Sequence, residues 1–220
     1  MKWDSDLESP LPPPHPNEEP GLDIQPSPAG VWLLPLPPSS PAVSAAWLPH
    51  TAPSFAFLVR EADRPGKLDV ARAKALGVPN GPLLGRLKSG ADVTTPDGRT
   101  VTAGEVVGPP VAGRRVLVLG DTNESAGAVQ ALCGPDEGRL DLLVHEATLG
   151  EQMRDSARMK GHSTPEQAAA AAKAGRAECL LLTHFSQRYN DEDIEELKEE
   201  AARDFKGRIE LARPMMKLRV

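Results

Sequence analysis

Val116-Leu-Val-Leu119 runs directly into Gly120-Asp121-Thr122, and this stretch decides how the rest of the chain is read. An apolar run closed by a Gly-Asp turn reads as a strand buried on both faces, as in the parallel part of a layered α/β fold. The pattern recurs twice. Leu142-Leu-Val144 runs into His145-Glu146-Ala147-Thr148, and Leu180-Leu-Leu182 into Thr183-His184-Phe185-Ser186. Ligands in such folds gather beyond the strand ends, where loops converge. An Asp and two His at three such ends point to a metal or phosphate site. A fourth polar cluster, Gly161-His162-Ser163-Thr164, stands just before a helix. Any one of these alone reads better as a polar residue capping a strand; four in a row favour a site.

Outward from this core, Thr164-Pro165-Glu166 opens a helix with a capping hydroxyl, a proline at the first helical position and an early acid. The Ala-rich run Gln167–Ala174 continues it to Gly175. Asn190-Asp-Glu-Asp193 caps a last amphipathic helix, about Ile194 to Asp204, and Arg208–Leu211 reads as a terminal strand. Upstream, Pro53–Val59 alternates as a strand. Residues 60–112 read as an inserted arm with a short helix through Ala71–Leu76 and a hairpin turning at Thr95-Pro-Asp-Gly98. Residues 1–42 read as a disordered tail. Thirteen of the 23 prolines precede residue 50, and runs such as Pro12-Pro13-Pro14 favour an extended chain over helix or sheet. The ordered domain is expected over 43–220.

The net charge of −6 is a property of that tail, where six acidic residues face one lysine. The remainder is close to neutral but segregated: residues 60–90 carry seven Lys or Arg against three acids. A local basic arm can bind phosphate whatever the total charge. Cys133 and Cys179 are far apart beside apolar runs, which reads as buried free thiols, no disulfide framework, and a reducing intracellular compartment. No apolar stretch is long enough to span a bilayer.

These residue types can carry phosphodiester chemistry. Imidazole and carboxylate are common zinc ligands. His50 precedes the first ordered strand, and Asp121 has two oxygens with which to bridge two metals. His162, at a helix start, can give a proton to a leaving oxygen, with Glu146 to orient it. Arg188 can grip phosphate, and Tyr189 can stack on a base.

The strings Gly-Asp-Thr, His-Glu-Ala-Thr, Gly-His-Ser-Thr followed by Glu-Gln-Ala-Ala, and Leu-Thr-His-Phe-Ser-x-Arg-Tyr occur here in the order found in ribonuclease Z, most of all its short form. The arm resembles that family's tRNA-clamping exosite through Arg-Pro-Gly-Lys-Leu, Leu-Gly-Val-Pro-x-Gly-Pro and Leu-Lys-x-Gly, and His-x-x-Pro-Ser-Phe matches at His50. The resemblance covers about residues 46–220. It implies the αββα metallo-β-lactamase fold, two Zn2+ ions per site, precursor tRNA as substrate, hydrolytic removal of the 3′ trailer, and a homodimer. Carried over residue by residue, it implies metal ligands at His50, Asp121 and His184, and a catalytic His162 supported by Glu146. His145 becomes structural. Phosphate contacts fall at Ser186 and Arg188, and exosite contacts at Lys67, Gly81, Pro82 and Lys88. The family's His-x-His-x-Asp-His motif is nowhere in the chain. The expectation is therefore about the second half of such a domain, inactive alone. The alternative is a non-catalytic chain that binds tRNA or a protein partner.

Overall fold

The computed structural model describes residues 21–220. The Pro12–Pro14 run and five of the six acidic residues of the tail lie outside these residues. Among those described, seven strands form one mixed sheet: β1 (Val31–Leu33), β2 (Ala42–Leu48), β3 (Ser54–Arg60), β6 (Arg115–Leu119), β7 (Leu142–Glu146), β8 (Cys179–Thr183) and β9 (Arg208–Leu211), side by side in that order. β4 (Val93–Thr94) and β5 (Thr100–Val101) form a separate hairpin. The first four strands of the sheet pair antiparallel, and β6 through β9 run parallel.

The expected strands and their order are present. Two strands differ from expectation: β2 precedes His50, where Pro53–Val59 was read as the first ordered strand, and residues 31–33 pair with β2 inside the stretch read as tail. The reason is local. Val31-Trp-Leu33 is a proline-free apolar triplet, preceded by a turn at Gly30 (φ +74°) and flanked downstream by prolines that leave it an edge strand.

Alternation along the strands separates two faces. One carries Ala46, Leu48, Ala56, Leu58, Leu117, Leu119, Leu143, Leu180, Leu182, Ile209 and Leu211, all buried in the main core. That face packs against α4 (Ala126–Leu132), α6 (Pro165–Ala174) and α7 (Asp191–Asp204). In α6 the Thr164 hydroxyl and the Gln167 side chain cap each other's backbone, and Pro165 occupies the first turn. Its buried residues are small, Ala168, Ala169, Ala171 and Ala172, so the helix can sit close to the sheet. Asn190 and Asp193 cap α7 in the same reciprocal way.

The opposite face carries an aromatic row. Trp32 and Trp47 each meet Phe55 edge-on, with centroids at 5.8 and 5.2 Å, and Phe57 follows at 6.3 Å from Phe55. Phe57 and Val118 on this face stay 40% and 38% exposed, so this side of the sheet is open where the helical side is sealed.

The arm between β3 and β6 has a core of its own, built from Ala73, Val78, Leu87, Val93, Val101 and Val106. It contains α1 (Val70–Ala75), α2 (Pro82–Lys88), the β4–β5 hairpin and α3 (Ala103–Val106). Its neck is two paired segments: Arg64 and Val111 exchange backbone hydrogen bonds at 2.9 Å each, and Arg114 Nε donates to Glu61 at 2.8 Å. The remaining helix, α5 (Arg154–Met159), leads into the loop before α6.

Candidate metal centre and its scaffold

β2 and β6 both pair antiparallel with β3, so they point the same way. The C-terminal ends of β2, β6, β7 and β8 therefore share one edge of the sheet. This is why His50, Asp121, Glu146 and His184, spread over 135 positions of sequence, arrive together. The loop between α5 and α6 adds His162 and Ser163.

Asp121, His162 and His184 each offer one ligand atom, and these atoms lie within 4.8 Å of one another. The ring centroids of His162 and His184 are 5.2 Å apart, and those of His50 and His162 are also 5.2 Å apart. The converging trio thus differs by one residue from the ligand set expected from sequence: His162 is in it, and His50 lies next to it. The reason is the loop before α6, which brings the His162 ring within 5.2 Å of each of the other two imidazoles.

Glu146 organises the centre. It is 1% exposed and accepts from four directions. Its Oε1 takes the Thr122 N–H at 2.7 Å and faces His162 Nδ1 at 3.1 Å. Its Oε2 takes the Ser163 N–H at 3.1 Å and the Thr148 hydroxyl. A buried carboxylate surrounded by donors is favourable where an unpartnered one would be costly. A carboxylate facing Nδ1 also fixes the proton there and leaves His162 Nε2 to the open side.

Hydroxyls close the remaining links. Thr122 Oγ donates to Pro49 O (2.9 Å), tying the β6 end to the His50 loop. Ser163 Oγ donates to Thr122 O (2.5 Å). Thr148 Oγ lies 2.9 Å from both His184 Nδ1 and His184 O. His184 needs this hold, because its φ of +57° places a non-glycine residue in the left-handed region. Thr122, Thr148 and Ser163 were not read as site residues from the sequence. They stood in the same short strings as the Asp and His, but a threonine after an acid carries no signal of the strand end it will bind.

His145 faces the other way. It is fully buried, with Nε2 3.0 Å from Ser125 Oγ and Nδ1 2.7 Å from Glu146 O. Burial holds its pKa below the ordinary imidazole value of 6.5. It supports the strand end and does not reach the cluster. Ser186 follows His184 and donates its N–H to Thr148 O at 3.1 Å. Exposed Arg188 reaches Ser186 Oγ at 3.3 Å. Tyr189, read as a base-stacking residue, has its hydroxyl engaged by the Gly150 N–H at 2.9 Å, so it latches two loops together.

On the arm, Lys67 and Lys88 line one open groove of ≈ 530 Å³ with Arg64 and Val111. Gly81 and Pro82 are exposed at the start of α2, with Gly81 at φ +137°. The arm residues and the cluster are separate features of the surface.

Residues 82–185 match the model of the β-lactamase superfamily domain. The human protein named zinc phosphodiesterase ELAC protein 1 is 47% identical over 148 residues, which is 67% of this chain and 40% of that protein. The ribonuclease Z of Brevibacillus brevis is 43% identical over 167 residues, 74% of this chain and 51% of that protein. The chain is homologous to ribonuclease Z. It spans about half the length of the curated ribonuclease Z relatives that it matches. The solved structure of the short form of human tRNase Z is 28% identical, with a TM-score of 0.48, covering 86% of this chain and 46% of that one. The mixed sheet with helices packed on one face is an α/β metallo-β-lactamase fold. Among the described residues no helix is long and apolar enough to cross a membrane.

Proposed function

We propose that this chain carries the second-half portion of a zinc-dependent ribonuclease Z site, the part that acts at the 3′ trailer of precursor tRNA. The observation that carries the reading is the convergence of Asp121, His162 and His184 at the strand ends, with Glu146 buried behind them. Imidazole nitrogen and carboxylate oxygen form a donor set that fits zinc. His50, Asp121 and His184 are the assigned ligands. Zinc held there would supply a Lewis acid for a phosphodiester oxygen.

His162 is the assigned proton donor. In the doubly protonated ring Glu146 accepts from Nδ1–H while Nε2–H gives its proton to the leaving 3′ oxygen, as water adds to phosphorus and the P–O3′ bond breaks, so the tRNA keeps a 3′-hydroxyl and the trailer a 5′-phosphate. Ser186 and Arg188 hold phosphate beside the cluster. Lys67, Gly81, Pro82 and Lys88 belong to an arm that grips tRNA away from the scissile bond. A homodimer is the expected assembly. Three ligands do not make a full two-metal site, so this stretch of chain by itself binds zinc weakly and does not cleave.

The ligand assignment is tested by zinc content after dialysis. The chain should retain fewer than two zinc ions, and Asp121→Ala should remove nearly all of them. Unchanged zinc in Asp121→Ala would reject the assignment.

A second reading, a tRNA-binding chain without catalysis, is favoured by the groove that Lys67 and Lys88 share. Contacts of Lys with phosphate position the RNA and do not read its sequence. The double reversal Lys67→Glu, Lys88→Glu should weaken binding of different tRNAs alike and lower the salt slope by about 2. Unaltered affinity and slope in a filter-binding titration would exclude the arm from either reading.

A further inference from the structure

The Gly161 carbonyl lies 2.8 Å from His50 Nδ1, across 111 positions of sequence. A carbonyl can only accept, so a hydrogen bond at this distance requires the proton of the neutral ring to sit on Nδ1. Nε2 is then left as the lone-pair nitrogen. Its nearest hydroxyl, Thr51 Oγ, is 3.5 Å away, too long to hold it.

Gly161 is suited to this contact in two ways. Its φ of +81° is a conformation that side-chain-bearing residues rarely adopt. A Cβ added there would also stand 2.7 Å from His50 Nδ1 and 3.1 Å from Cε1, closer than real Cβ atoms approach. A side chain at this position would force the His50 ring to shift off the loop.

The loop is itself rigidly placed. The Gly161 N–H donates to Arg158 O (3.1 Å) and the His162 N–H to Ala157 O (2.9 Å), closing the end of α5. Ser163 is pinned to Glu146 and Thr122. From the β2 side, Pro49 O accepts from Thr122 Oγ. His50 and His162 are therefore positioned from one short loop, and the rings end 5.2 Å apart at 52°.

We propose that Gly161 is a positioning residue for this centre: its carbonyl fixes His50 in the Nδ1–H tautomer and leaves Nε2 as the nitrogen free to ligate. The proposal rests on the zinc reading above for its purpose but not for its geometry. Partners of this kind around a ligating histidine set both ring orientation and basicity, and their loss costs about 10–100-fold in metal affinity.

The test reads the tautomer of the metal-free chain directly. Nitrogen-15 long-range correlation spectra at about pH 8, where an ordinary imidazole is neutral, are assigned with His50→Gln. His50 should show a protonated Nδ1 and an unprotonated Nε2. In Gly161→Ala this pattern should be lost, and zinc affinity measured with zinc alone should fall about 10-fold or more. His50 in the Nε2–H form, or as a free mixture of forms, in the parent chain would overturn the proposal even if Gly161→Ala proved too unstable to study. The two readings fail separately. A correct tautomer with no zinc binding would leave the positioning in place and reject the metal site. A wrong tautomer would leave Asp121, His162 and His184 converged as before.

Discussion

Glu146→Ala should lower the stability of this chain by about 3–5 kcal/mol, the range found when one partner of a buried charged network is removed. The carboxylate is 1% exposed, and its removal strands the N–H groups of Thr122 and Ser163, together with the Thr148 hydroxyl and His162 Nδ1. Each buried donor left without an acceptor costs about 1–3 kcal/mol. These groups belong to three different loops, so the loss is felt at the ends of β6 and β7 and at the start of α6 together. For a domain of this size the thermal midpoint should drop by about 10 °C or more. Glu146→Gln should fall between parent and alanine, since its amide keeps one acceptor but turns an NH2 toward a donor. Thermal unfolding followed by circular dichroism measures this. A midpoint for Glu146→Ala within a degree or two of the parent would mean that the carboxylate does not hold the loops together.

The largest functional effect is expected from completing the site. Fused ahead of Val43, the first half of a bacterial ribonuclease Z with its His-x-His-x-Asp-His motif should yield a chimera that cleaves precursor tRNA at the trailer junction. The unfused chain should give no cleavage above background. The fused half has two physical tasks: to cover the open sheet face around Phe57 and Val118, and to supply the remaining ligands of a two-metal site. Within the chimera, His162→Ala should reduce the rate by about 10²–10⁴-fold with zinc content nearly unchanged, as expected of a proton donor. Asp121→Ala should lose zinc and rate together. The geometry gives this comparison its force, because His162 lies in the same cluster as Asp121 and His184. If His162→Ala emptied the chimera of zinc, His162 would be a ligand and the division of labour would be wrong. Cleavage by the unfused chain would show that this portion suffices alone.

Much of the scaffold was legible because local signals agreed. The apolar runs before Asp121, His145 and Thr183 are strands, and the hydroxyl-Pro-acid start at Thr164 opens α6. The Thr95–Gly98 turn joins β4 to β5. The edge strand Val31–Leu33 was not legible, since a three-residue strand among prolines has too few positions to show a period and is stabilised only by pairing with β2. In the centre, the short strings marked Asp121, Glu146, His162 and His184 but were silent on which atoms would meet. That Ser163 Oγ reaches Thr122 O, or that Tyr189 is spent on the Gly150 N–H, depends on loops from different parts of the chain.

The sequence by itself determined that the Asp, Glu and His residues of the short polar strings end strands or precede a helix, because hydrophobic period and capping are local properties. Tertiary structure decided that β2 runs with β6, β7 and β8, and so that His50 arrives at the same edge as Asp121 and His184. It also decided that Glu146 faces four donors and that Gly161 meets His50. The physical reason is that strand direction and register are set by pairing across the sheet. Hydrogen bonds between loops exist only once that pairing has brought the strand ends within a few ångströms of one another.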